Sequence, residues 1–248
     1  FPYLRESFQK SGKKVSAVIA QTLPNTVVLA LSSIVIAMLL GVLLGIISVL
    51  SKDRWLDKAI QLISTLGMSV PSFFSAILFA WVFGFVLHRY TGLQMTGSLY
   101  EVDDFGNGTY IQWKNLVLPA IVLGIRPLAV VSQLMRNSLL EVLNQDYITT
   151  AKAKGLSQRA VIGRHALKNS LNPVVTAISG WFASMLAGAV FVEFIFGWNG
   201  IGKEIVDALN KSDLPVIMGT VIVIASLFIV INIFVDILYG WLDPKIRV

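Results

Sequence analysis

Two glycine–lysine pairs, Gly12-Lys13-Lys14 and Gly202-Lys203-Glu204, are where phosphate chemistry would first be sought. A phosphate-cradling loop needs G-x-x-x-x-G-K-[ST], because successive backbone N–H groups wrap the phosphates and a hydroxyl holds the metal. The first pair lacks the leading glycine, and both lack the hydroxyl, which is Lys14 in one and Glu204 in the other, so the chain does not read as an ATPase in its own right. It has no cysteine, which excludes a thiolate metal site and a disulfide framework. Its two histidines, His88 and His165, are far apart, and no catalytic dyad is in view. The chain reads as no enzyme, and no cofactor is expected in it.

Charged groups inside apolar stretches carry the remaining chemistry, because a lipid-facing charge costs several kcal/mol. Arg126 and Arg136 lie ten residues apart in one such stretch, about 15 Å along a helix. Arg136 is near its end and is expected to snorkel or pair. Arg126 is deeper. It either faces a translocation path or pairs with Asp236 or a partner subunit, and the sequence leaves both open. Pro71 with Ser72 and Ser75 marks a kink that lines a path or is a satisfied bend. Gly41 and Gly45 form G-x-x-x-G, a signal for close helix approach. Trp81, Trp181 and Trp241 read as packing or interface anchors.

These residues need elements to hold them. The 248 residues are 55% hydrophobic and 14% charged, with a net charge of +6, against about a quarter charged in a soluble domain. Such a chain cannot cover itself with polar groups, so part of its solvent is lipid. A spanning helix takes about 20 apolar residues, and five segments qualify: 24–50, 59–87 (interrupted by Pro71), 116–143, 173–194 and 216–241. Lipid offers open backbone no partner, so these segments are helical despite their Val/Ile runs. The expected fold class is an all-α integral membrane protein.

Loop charge orients it. The loop 144–172 holds Lys152, Lys154, Arg159, Arg164 and Lys168 against one acid, Asp146, and short basic loops stay in the cytoplasm. Lys52, Arg54 and Lys58, and the C-terminal Lys245 and Arg247, fall on the same side. Glu101, Asp103, Asp104, Glu204, Asp207 and Asp213 fall on the other. The basic stretch 1–23 dissents, being placed outside by parity. Five spans and an outside N-terminus lead to the expectation of one further span upstream.

Within the basic loop, Asp146-Tyr-Ile-Thr-Thr-Ala-Lys-Ala-Lys-Gly-Leu-Ser-Gln-Arg predicts two short helices around a sharp turn. Asp146 caps the first, Gly155 ends it in the left-handed conformation, and Leu156 folds back on its last turn. Ser157 caps a second helix running to about Lys168. Asn172-Pro173 opens the next span as N-cap and first turn. A rigid helix at a membrane exit is a good lever for a soluble partner; a solvated basic loop is the plainer reading.

Here the chain resembles a known family. Tyr147-Ile-Thr-Thr-Ala-Lys-Ala-Lys-Gly-Leu, with His165-Ala-Leu-Lys-Asn-Ser-Leu-Asn-Pro173, resembles the cytoplasmic signature loop of ABC importer permeases of the dipeptide/oligopeptide branch. Val192-Glu193-Phe-Ile-Phe-Gly-Trp-Asn-Gly200-Ile-Gly202 and Ser212-Asp213-Leu-Pro215 resemble the family's outward loop, and Asn232 to Arg247 its C-terminus. Thr149 stands where the general signature has Glu, no proline stands near Lys168, and Asn199 replaces a usual proline.

The resemblance implies a type I ABC importer transmembrane domain at 24–248, with five spans visible of six and a cytoplasmic coupling loop at 144–172. It places Tyr147, Thr150, Ala151, Ala153, Lys154, Gly155, Leu156 and Arg159 at the contact with an ATPase, while Arg126, Pro71 and Ser72 stay candidates for a path on their residue types alone. It also implies a second permease, two ATPase subunits holding ATP and Mg, an extracytoplasmic solute-binding protein, the bacterial inner membrane, a cytoplasmic C-terminus and no nucleic acid. The rivals are nickel or glutathione as cargo, and a membrane receptor or assembly factor without transport.

Overall fold

The computed structural model describes residues 4–103 and 108–242. Phe1, Asp104, Asp243, Lys245 and Arg247 lie outside the described residues, as do the side chains of Asp236 and Trp241. In chain order the elements are α1 (Val15–Leu50), α2 (Trp55–Ser69), α3 (Ser72–Phe79) running into π-helical turns at Ala80–Val86, and α4 (His88–Thr91). A short antiparallel ribbon, β1 (Tyr100–Val102) and β2 (Thr109–Ile111), pairs Glu101 with Tyr110. Then come α5 (Lys114–Leu143), α6 (Asp146–Ala153), α7 (Gln158–Val161), π-helical turns at Ile162–Ala166, and α8 (Leu167–Ser170). The chain ends in α9 (Asn172–Gly188), α10 (Val190–Phe196), α11 (Ile201–Asn210) and α12 (Leu214–Leu242).

Three helices, α1, α5 and α12, are long and apolar enough to cross a bilayer, and α2 with α3 and its π-helical extension makes a fourth if the broken pair is one span. The protein is thus helical and multi-pass, but the five expected spans do not all appear as single helices. The second breaks where Val70 turns extended, at φ −75° and ψ 130°, ahead of Pro71, since a proline pushes the residue before it out of the helical region. The fourth is divided at Ala189 into helices of 17 and 7 residues. Seventeen residues reach only about 25 Å, short of a ~30 Å hydrocarbon core.

The first helix also starts earlier than its apolar run. It begins at Val15, with Pro24 inside it. Val15, Val18 and Ile19 are buried on one face, while Ser16, Gln21 and Thr22 lie on less covered ones. That amphipathic turn makes helix favourable before the fully apolar stretch begins.

The chain divides into two compact units. The first comprises 1–33, 71–123 and 182–248. Its core joins Val15 and Ile19 of α1 to Ile201 and Ala208 of α11 and Val216 of α12. α10 packs on α3 and α11, with Phe73 and Phe191 ring centroids 6.3 Å apart.

The second unit comprises 34–70 and 124–181. Its core is built on α5, where Val131, Met135 and Leu139 meet Val49 of α1, Ile148 and Ala151 of α6, Val161 and Ile162 of the next turns, and Val174 of α9. Gly41 and Gly45 face α5 so closely that an added Cβ would lie 2.7 Å from Val131 Cγ1 and 2.6 Å from Met135 Cβ. The close approach that G-x-x-x-G permits is realised here.

Candidate functional site

The basic loop folds as two short helices around one glycine. α6 stops because Gly155 sits at φ +81°, where a Cβ is strained. The Gly155 N–H donates to Lys152 C=O at 2.9 Å and the Leu156 N–H to Ala151 C=O at 3.4 Å, the two reversed bonds of a Schellman motif. Leu156 packs back on the core. Ser157 caps the next helix, its hydroxyl accepting from the Ala160 N–H at 3.4 Å. From there the chain stays helical, through π-helical turns, to Ser170.

Two capping expectations are corrected. Gln145, not Asp146, is the extended residue before α6, and its side chain makes no capping bond; Asp146 is the first helical residue. There its charge still suits the helix dipole, and its C=O accepts from Thr150 Oγ1 at 3.0 Å. Asn172 is likewise already helical, because Leu171 is right-handed and its C=O accepts from the Val175 N–H at 2.9 Å.

Burial separates the loop's faces. Ile148 is 0% and Ala151 7% exposed, both in the core. Ala151 therefore seats the helix on its own core. Tyr147, Thr150, Ala153, Lys154, Gly155 and Arg159 are exposed, as are Lys152, Arg164 and Lys168. None of these basic side chains forms an ion pair among the described residues. The Tyr147 hydroxyl accepts from Asn169 Nδ2 at 2.9 Å, tying α6 to α8. The result is a rigid helix with an apolar seat and a free cationic face.

Arg136 pairs, as expected, but with a residue the sequence did not single out. Its Nε donates to Asp57 Oδ1 at 2.9 Å and its Nη2 to Asp57 Oδ2 at 2.8 Å. Ser48 and Gln61 also donate to Asp57. Asp57 is 1% exposed. The signal was that, of the two acids among Lys52, Arg54 and Lys58, Asp57 stands at the third position of a helix. Arg126 is exposed, and its side chain makes no hydrogen bond or ion pair among the described residues. Pro71 is exposed and opens α3, its C=O accepting from the Ser75 N–H at 3.1 Å, while Ser72 is half-buried.

In the first unit, Glu193 is wholly buried. It accepts from Thr26 Oγ1 at 2.6 Å, the Gly202 N–H at 2.7 Å and the Lys203 N–H at 3.2 Å. The Ile201 N–H donates to Thr26 Oγ1 at 2.8 Å. The open donors at the start of α11 are thus met by the side chains of Glu193, nearby in sequence, and Thr26, far from it. Gly200 must be a glycine, since a Cβ there would lie 2.3 Å from the Glu193 carboxylate. Gly197, at φ +67°, turns the chain so that Trp198 is buried and its Nε1 donates to Asn25 C=O at 3.0 Å.

Asp213, just before α12, clasps the N-terminal segment. It accepts from the Ser7 hydroxyl and from the Phe8 and Gln9 N–H groups at 3.1 and 3.3 Å. Burial pushes its carboxyl up, but the hydrogen bonds from Ser7, Phe8, Gln9 and Val216 outweigh that and hold it below its ordinary value. A depressed carboxyl stabilises the fold above the unfolded pKa, about 4, and loses that contribution as pH falls through the folded value. Asp213→Asn is expected to cost about 2 kcal/mol at pH 7. Thermal unfolding in detergent should show the gap from wild type closing below about pH 4.

Among the described residues, no three His, Asp or Glu are grouped to hold a metal. Comparison with known proteins places the chain. Residues 37–248 match the family model described as "Binding-protein-dependent transport system inner membrane component". A dipeptide transport system permease protein of Alkalihalophilus pseudofirmus is 37% identical over 96% of this chain and 75% of its own length. That of Haemophilus influenzae is 40% identical over 90% and 71%. That of Bacillus subtilis is 36% identical over 97% and 73%. A solved inward-facing methionine ABC transporter structure superposes with a TM-score of 0.70, covering 91% of this chain and 96% of that one at 13% identity, which speaks for the fold. With a family model matched over most of its length and full-scale relatives above one-third identity, this chain belongs to the inner-membrane components of binding-protein-dependent transport systems.

Proposed function

We propose that the chain is a permease subunit of an ATP-driven peptide importer, forming half of the path between two permeases. The observation that carries the reading is the loop 144–172: a Schellman-turned helix with a buried apolar seat and an unpaired cationic face. Such a helix transmits force without bending and presents charge to an acidic groove. The relatives' names supply the cargo class, since several are dipeptide permeases. ATP hydrolysis then lies in separate subunits, and an extracytoplasmic binding protein delivers the solute.

In this reading the exposed Tyr147, Thr150, Ala153, Lys154, Gly155 and Arg159 meet the ATPase on the cytoplasmic side, and Ala151 and Leu156 fix the helix to its own core. The C-terminus lies on that same side. Arg126, exposed and unpaired in the described residues, is a candidate for the solute path, with Pro71 and Ser72 at the break between α2 and α3.

The test is purification from mild detergent followed by reconstitution. Two ATPase subunits and a second permease should accompany the chain, and proteoliposomes supplied with ATP should accumulate labelled di- or oligopeptide and not nickel. Nickel accumulation without peptide would overturn the cargo. Loss of all uptake by a fully assembled complex would overturn the transport role.

A further inference from the structure

The Asp57–Arg136 pair lies within the unit that carries the basic loop. One carboxylate there gathers donors from four parts of the chain. Ser48 comes from the end of α1, the Asp53 N–H at 3.2 Å from the turn, Gln61 Nε2 at 2.9 Å from α2, and the Arg136 fork from α5. Arg136 follows Met135 and precedes Leu139 by three residues, and both of those are wholly buried in the core that seats α6. A displacement of α6 therefore reaches the fork through less than one turn of α5.

Stability alone does not account for such a pair. A buried ion pair is about neutral against an apolar replacement of the same volume, and its attested use is to fix register. The fork also demands one geometry. Two parallel N–H···O bonds hold direction as well as distance, which a lysine in the same place does not do.

We propose that Asp57 and Arg136 are positioning residues for coupling: they make α2 and the end of α1 follow α5 when the loop is pushed. This rests on the reading of 144–172 as the ATPase contact. α2 ends at Ser69, directly before the extended break at Val70 and Pro71, so the pair delivers the push to the chain's main interruption in that region.

The experiment uses the whole transporter in proteoliposomes with a radiolabelled dipeptide and reads ATP hydrolysed per dipeptide imported. Asp57→Asn and Arg136→Lys are compared with wild type, with Gly155→Pro, and with Asp213→Asn as a variant weakened in the other unit. The expected result is a rise of about tenfold or more in ATP per dipeptide for both pair variants, with the subunits still associated and the ratio in Asp213→Asn unchanged. Arg136→Lys keeps the charge and decides the matter if Asp57→Asn does not assemble. A wild-type ratio in Arg136→Lys, whatever its melting temperature, overturns the proposal, and so does an equal rise in Asp213→Asn. A wild-type ratio in Gly155→Pro instead overturns the loop reading, and with it the route proposed here.

Discussion

Gly155→Pro should cut peptide uptake by more than tenfold while leaving the chain inserted in the membrane. Gly155 holds φ +81° and donates its N–H to Lys152. Proline fixes φ near −65° and has no N–H. The substitution therefore removes one Schellman bond and forbids the backbone that makes the other, so Leu156 no longer folds back and the entry to α7 changes direction. No Cβ clash adds to this, since nothing lies within 4 Å of the position a Cβ would take. The fault is confined to backbone geometry at an exposed turn, which is why insertion should survive. Gly155→Ala carries the same φ penalty, about 1–2 kcal/mol, but keeps the N–H. Its uptake should lie between the two. Quantifying membrane-inserted protein and peptide accumulation in the same cells checks the ordering, and normal uptake by Gly155→Pro would remove the loop from the mechanism.

Glu193→Ala should be the most destabilising single change in the first unit, at about 4 kcal/mol. It strands the Gly202 and Lys203 N–H groups and the Thr26 hydroxyl at once, in a site with no exposure to water. Thr26 also holds the Ile201 N–H, so the start of α11 is left with hydroxyl support alone. Glu193→Gln keeps the shape and an accepting oxygen, and should cost about half as much. Gly202→Ala meets Val190 backbone at 2.5 Å and should weaken the same joint by overpacking, about 1–3 kcal/mol. Unfolding midpoints in detergent would rank the three. A Glu193→Ala protein as stable as wild type would show that the joint is held by something else.

The two sets of residues differ in how far they could be read from the chain. The Gly155 turn was legible because everything it needs lies within a few neighbours: a helix-forming run, a glycine, an apolar residue after it, and a hydroxyl to start the next helix. The long helices were legible because lipid leaves the backbone no other choice. Asp57 and Glu193 were not legible as partners. Their most remote donors stand 79 residues away at Arg136 and 167 away at Thr26, and nothing local distinguishes a buried carboxylate from a solvated one. The motif around Glu193 was visible as a string, yet its reason, a remote cap for α11, exists only once the chain has closed. The break in the second span was legible from Pro71, since a proline turns the residue before it extended, as Val70 is. The division of the fourth was not, because hydropathy counts apolar residues and is blind to a helix that divides at Ala189.

The meeting of α1 with α5 has a mechanical consequence. Along one side of α1, Ala37, Gly41, Gly45 and Val49 recur every four residues and are all buried, and the methyls and stem of Val131 and Met135 sit in the two deepest notches. Teeth seated this way do not glide. To shift along its neighbour, α1 would have to lift off and drop into the next notch, about 5.4 Å on, the rise of one turn. Val131 or Met135 would then face the bulkier Ala37 or Val49 in place of a glycine. Axial travel between these two helices is thus stepwise and uphill, which leaves rocking as a body the easy motion.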